Sequence, residues 1–181
     1  MDTVGWVHAS PGGDQRGAAL VEFAILAPLL LMLLFGIVSV GIAFNHNLAL
    51  THAARESGRF AATLPISNFS TLDGWLDAVA ARAVADADGS LDTGIDGRTV
   101  CVAYVYPDGI LATDQTTRLV VDPTGSATYD SVPCFSDGRP GDERRVQVRV
   151  ERTVEFSALV FGTDLTLDSD AISRFEAGPG L

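Results

Sequence analysis

The run from Ala24 to Phe44, AILAPLLLMLLFGIVSVGIAF, holds 21 residues without a charge. As a helix rising about 1.5 Å per residue it covers roughly 30 Å, the thickness of a bilayer's hydrocarbon core. The pattern predicts a membrane-spanning helix. Pro28 breaks a helix in water but is accommodated as a kink near the start of a lipid-embedded one. Gly36 and Gly41 are small enough to let another helix approach. A cleaved secretory signal competes with this reading, because Gly41-Ile42-Ala43 offers a small-x-small site. Against it, a signal's apolar region is about 7 to 15 residues and follows basic residues; here only Arg16 precedes the run, offset by Asp2 and Asp14.

Past Phe44 the helix continues by pattern, since Leu48, Ala49, Ala53, Ser57, Phe60 and Ala61 recur near helical spacing while Arg55, Glu56 and Arg59 supply polarity. A single helix from about Ala18 to Ala62, ended by Pro65, then projects beyond the membrane. A second helix is expected after a Ser70 cap with Asp73 three residues on, carrying the apolar stripe Leu72, Trp75, Leu76, Val79, Ala80 and Ala83. Asp86 to Gly97 is a Gly/Asp loop, after which apolar residues alternate. Val100, Val102, Val105 and Tyr106 mark a strand, Pro107-Asp108-Gly109 a turn, and Arg118 to Asp122 a second strand. Between Arg144 and Phe156, Val146, Val148, Val150, Val154 and Phe156 share one parity, a half-buried antiparallel pattern broken only by Arg152. Leu165, Leu167 and Ile172 suggest a last strand. The class is therefore α+β: a long N-terminal transmembrane helix continuing into a small domain with a second helix and an antiparallel sheet.

Twenty-three acidic residues against twelve basic ones leave a formal charge of -11, with no basic footprint for a phosphate backbone, so nucleic acid is not an expected partner. All twelve basic residues are Arg; without lysine, Schiff-base chemistry and a Walker A phosphate loop are excluded. No GxSxG, HExxH or GxGxxG occurs, so no catalytic residue and no cofactor is assigned. His46 and His52, six apart, point in different directions on a helix and read as solvated residues beside the membrane rather than metal ligands. The acidic segment Asp86 to Asp92 lacks the glycine placement and bidentate Glu of a calcium loop and reads as surface, with no metal expected. Trp75 reads as core, with a partner-binding apolar face the competing role. Cys101 and Cys134 are either one disulfide, which requires an oxidising compartment, or two buried thiols.

Glu22 stands one residue before the uncharged run, within RGAALVEF. A carboxylate at the edge of a membrane helix costs free energy unless the helix N-terminus or a positive partner offsets it. Cleavage after Gly17 would place a new amino terminus at Ala18 and make Glu22 the fifth residue, able to pair with a neighbouring subunit's amine and so register one helix against the next. The stretch RGAALVEFAILAPLLLMLLFGIVSVG, with AARESGRFAA after it, resembles the start of TadE-like proteins, pilin-like minor components of Tad (Flp) pilus systems.

The resemblance covers Arg16 to Ala62. It implies a cytoplasmic leader, residues 1–17, removed by a prepilin peptidase, with Gly17, Ala18, Glu22 and Phe23 forming the processing motif. Residues 18–64 are then the membrane-spanning, subunit-packing helix, with Glu22, Pro28, Gly36 and Gly41 as packing positions; Arg55 and Gly58 also match. Residues 65–181 form an extracytoplasmic domain. The chain departs from its relatives at Ser39, where many carry Glu. Arg16 on one side of the run and Arg55 and Arg59 on the other do not by themselves place the N-terminus inside; the resemblance does, and a Cys101–Cys134 bridge agrees with an outward domain. Implied partners are the inner membrane, the prepilin peptidase, other pilin-like subunits and pilus assembly proteins. Two other readings compete: an unprocessed single-pass protein whose outer domain binds a ligand, and a secreted hydrolase cut near Ala43.

Overall fold

The computed structural model describes residues 15–106, 118–140, 143–158 and 161–176. The expected turn at Pro107-Asp108-Gly109, residues 1–14 of the expected leader and the glycine-rich end lie outside them. Helix α1 runs without interruption from Gln15 to Thr63 with Pro28 inside it, about 75 Å at 1.5 Å per residue. Its two halves have opposite surroundings. Large apolar side chains from Leu20 to Phe44 are exposed, whereas Leu50, Ala53, Ala54, Ser57 and Ala61 are fully buried. The lower half therefore presents apolar surface all round, and the upper half is the spine of a folded head.

Helix α1 stops before Pro65, which lacks the N–H to continue the ladder and instead opens a short 3-10 turn, Ile66–Asn68. Helix α2 follows, Leu72–Ala85, and buries all six stripe residues. Its cap is Thr71 rather than Ser70: the Thr71 hydroxyl accepts the Gly74 N–H at 3.2 Å. The Ser70/Asp73 spacing is correct for a cap, but the chain enters the helix one residue later.

Five strands, β1 (Thr99–Val105), β2 (Arg118–Val121), β3 (Ala127–Asp130), β4 (Arg145–Ala158) and β5 (Phe161–Arg174), form one sheet in the order β3-β2-β1-β4-β5. Every neighbouring pair is antiparallel. One face carries Val100, Val102, Tyr104, Leu119, Val146, Val148 and Val150 into the core beneath both helices, with α1 over β4 and β5 and α2 over β1 and β2. Close approach of α1 depends on small residues. A Cβ on Gly58 would lie 3.1 Å from Ser173 Oγ and 3.5 Å from Ala171 Cβ. Gly58→Leu is therefore expected to force helix and sheet apart at a cost of about 2 kcal/mol, read as a lowered urea midpoint for the full chain in detergent; an unchanged midpoint would contradict this packing.

The opposite face of β1 and β4 is not open. Cys101, Ala103, Arg145 and Gln147 are buried there, beneath the segment 131–140. Cys101 and Cys134 are bonded. The Gln147 amide accepts the Cys134 N–H at 3.0 Å and donates to Phe135 O at 3.0 Å and Asp137 Oδ2 at 2.8 Å. Arg145 grips Asp137 with two nitrogens, at 2.6 and 3.1 Å. The strap is thus held by a covalent bond, an amide and an ion pair.

Burial pushes the Asp137 carboxyl up, but hydrogen bonds from Arg145, Gln147 and the Arg139 N–H, with the Arg145 charge, outweigh it and hold the pKa at about 2 against an ordinary 3.8. A depressed folded-state value means the unfolded chain takes the proton first, so this stabilisation is complete above about pH 5 and is lost on descending through pH 4 toward 2. Thermal unfolding of the full chain in detergent should show Tm falling over that interval, and Asp137→Asn should flatten part of the fall. Identical profiles for the two chains would contradict the clamp.

Candidate functional site

The residues singled out for processing and packing all lie on the exposed length of α1. Phe23 is exposed, and Glu22 beside it is turned away from the rest of the chain. Ala18 and Glu22 are four positions apart, so they lie about 6 Å apart along the axis on nearly the same face. Added Cβ atoms at Gly17, Gly36 and Gly41 would meet nothing within 4 Å. Gly36 and Gly41 are five apart and so open on different faces, two separate notches rather than one ridge. Among the described residues, nothing of the head lies against these positions.

The cysteine alternatives resolve as a bridge, with an S–S distance of 1.99 Å. Trp75 is core: fully buried, its indole N–H donates to Leu64 O at 3.1 Å, and its ring meets Tyr104 and Phe175 edge-on. Around Asp86 to Asp92 the chain is tied by protein groups, since Arg98 donates to Leu91 O and Asp122 O at 2.5 and 2.7 Å while Ser90 and Leu91 are buried. Among the described residues no group of His, Cys, Asp and Glu is arranged to hold a metal ion.

One expectation is corrected. His46 is half-buried rather than fully solvated, its Nδ1 lying 3.0 Å from Ser90 Oγ and 3.1 Å from Arg152 Nη1, whereas His52 is exposed as expected. Arg152 also donates to Ser90 O at 3.2 Å, and burial pushes its pKa down. This junction, where α1 enters the head, was visible in the sequence only as the one charged residue on the apolar parity of β4.

One helix is long and apolar enough to cross a bilayer and continues as the spine of an α+β head. Residues 17–59 match the family model described as TadE-like protein. The matched segment holds both the exposed run and the small-residue face that packs on β5. Comparison with curated proteins and with solved structures gives no match.

Proposed function

We propose that this chain is a pilin-like minor subunit or assembly factor of a Tad (Flp) pilus, a non-enzymatic protein involved in pilus biogenesis and in the adhesion or secretion the pilus serves. In this reading a prepilin peptidase cuts after Gly17 on the cytoplasmic side, and the head lies outside the inner membrane. Exposed α1 then packs against the helices of other pilin-like subunits or assembly proteins. The observation that carries the reading is the TadE-like match over residues 17–59 falling on a helix whose large apolar side chains from Leu20 to Phe44 are exposed.

Its mechanism is assembly by packing. Lipid tails give helices no hydrophobic reason to associate, so small notches at Gly36 and Gly41 and a polar contact at Glu22 would supply the contacts and the register. Pro28 removes one backbone N–H from the helical ladder and gives a bend at a fixed height. Glu22→Gln keeps the size of the side chain and removes its charge. In the native host this variant should still be cleaved yet fail to support pilus-dependent surface attachment; attachment at the level of the unaltered chain would contradict the pairing of Glu22 with a neighbour's amine.

A further inference from the structure

Strand β5 closes the sheet on one side and β3 on the other, and the two edges are built differently. Edge β3 is four residues long. Edge β5 is fourteen residues long, holds no proline and pairs with β4 in one unbroken register from Arg174 to Phe161, without a bulge. Shortness, bulges and prolines are how sheets close their edges to further strands; β5 uses none of them.

Three hydrogen bonds show which backbone groups face outward. The Phe175 N–H donates across the sheet to Arg144 O at 3.0 Å, whereas the Glu176 N–H points the other way and donates to Ala62 O. Backbone groups alternate in direction along an antiparallel strand, so odd-numbered residues of β5 bond to β4 and even-numbered ones turn outward. The Thr153 N–H has the same phase: it points away from its β5 partner Thr166 and donates to Asp96 O at 2.8 Å on the far side. The N–H and C=O groups of Asp164, Thr166, Asp168 and Asp170 therefore form an open row. All four residues are exposed, and no further backbone partner for them occurs among the described residues.

Side chains select what can lie along this row. Asp164, Asp168 and Asp170 share the outer face with Glu155 and Glu151, which stand opposite Asp164 and Asp168 on β4. Arg149, opposite Asp170, already serves Glu151, Asp168 and Asp170 at 2.6, 3.3 and 3.5 Å. Burial pushes the Asp170 carboxyl up, and Asp168 and Glu151 push it further against the pull of Arg149. One cation thus faces five carboxylates. The other parity of β5 faces α1, as Ala171 and Ser173 do beside Gly58, and there Leu165 is 45% exposed. A second copy of β5 fits poorly, because pairing two such edges brings their aspartates together.

We propose that the open edge of β5 accepts an added strand from another protein, an extended segment with Lys or Arg at alternate positions along Asp164, Asp168 and Asp170 and aliphatic residues between them beside Leu165. Main-chain hydrogen bonds would hold the segment, and the charges would choose it. The inference rests on the sheet alone, not on cleavage at Gly17, on a bilayer or on entry into a pilus.

The test uses the full chain in dodecyl maltoside and, as probe, a fluorescent peptide alternating lysine and valine, with binding followed by anisotropy. A matched peptide alternating glutamate and valine should not bind. Two more lysine–valine peptides carry backbone N-methyl groups, one on every lysine and the other on every valine. Only one row of a strand's N–H groups faces its neighbour, so one of these should bind about tenfold more weakly than the other. Thr166→Pro removes an outward N–H that β4 does not use, and Asp168→Asn combined with Asp170→Asn removes two charges; each should weaken the lysine peptide about tenfold. Asp88→Asn combined with Asp92→Asn makes the same change of net charge on an exposed loop and should leave binding unaltered. Should Thr166→Pro fail to fold, the methylated pair tests strand addition on the unaltered chain. No binding of the lysine peptide, equal affinity for the glutamate peptide, or equal affinities of the two methylated peptides would overturn the proposal. Sedimentation showing self-association that Thr166→Pro abolishes would make a second copy the occupant and overturn the cationic partner.

Discussion

Replacing Trp75 with alanine is expected to lower the unfolding free energy by about 4 kcal/mol, the largest loss from any single truncation in the head. The ring is fully buried where four elements meet: the end of α1 through Leu64 O, α2 on which it sits, β1 through Tyr104 and the end of β5 through Phe175. Tyr104 and Phe175 also touch edge-on, at 4.9 Å between centroids. Removing the indole opens a cavity between rings that cannot collapse without moving strands. It also strips a hydrogen bond from the Leu64 carbonyl, next to the residue that ends the helix. For a chain of this size the change lowers Tm by roughly 12 °C. Trp75→Phe refills most of the volume and loses only the N–H, so a loss of about 1 to 2 kcal/mol is expected. Full-chain urea unfolding in detergent checks both; near-equal losses would mean that packing around the ring is not what holds the head together.

The second large effect is opening the bridge. Cys101 and Cys134 are 33 residues apart, and closing a loop of that length removes unfolded-state entropy equivalent to about 3.7 kcal/mol in the chain-entropy model. Cys101→Ser combined with Cys134→Ser should lose about that much, and dithiothreitol should destabilise the unaltered chain by a similar amount while leaving the double variant unchanged. Because Gln147 and the Arg145–Asp137 pair grip the same strap, the segment stays docked in the variant, and the loss appears as stability rather than as a rearranged fold. A double variant within about 1 kcal/mol of the unaltered chain would show that the strap is ordered in the unfolded state too.

Much of this fold is legible in the sequence because it is written as periodicity. The α2 stripe and the alternating valines of β4 each identify their buried face, and both follow from one element lying on one core. What periodicity misses is burial by something other than the helical layer. Gln147 lies on the polar parity of β4, yet it is 1% exposed because the 131–140 strap covers that face. The same strap makes Val100 to Tyr104 a continuous buried run. Strand β3 is short and mostly exposed, so it carries no alternation to read, and its place is set by pairing with β2. Strand β5 extends from Phe161 to Arg174, well beyond its apolar positions at Leu165, Leu167 and Ile172, because fourteen backbone pairs with β4 hold it at the sheet edge. Edge strands tolerate such polar sequence, having one neighbour and an open side.

The functional region divides similarly. Glu22 stands out in the sequence because a carboxylate bordering an apolar run of bilayer length is an unusual pattern, and its exposure on α1 is what the fold adds. The roles of Gly58 and of the alanines around it do not stand out, since a small residue in a helix acquires meaning only when the surface facing it is known. Arg152 is intermediate. Its break in the valine parity is plain in the sequence, but the reason, an interaction with His46 across 106 positions of chain, requires the fold.

The central claim is that α1 is a processed, pilin-like assembly helix, and its most direct test is the N-terminus of the mature protein. The full chain would be expressed with and without a prepilin peptidase from a Tad locus, extracted from membranes, and its intact mass and N-terminal sequence measured. The account expects a chain beginning at Ala18, lighter by the mass of Met1 to Gly17, only when the peptidase is present. A chain left uncut in its presence, or one beginning near Phe44 whether or not it is present, would contradict it.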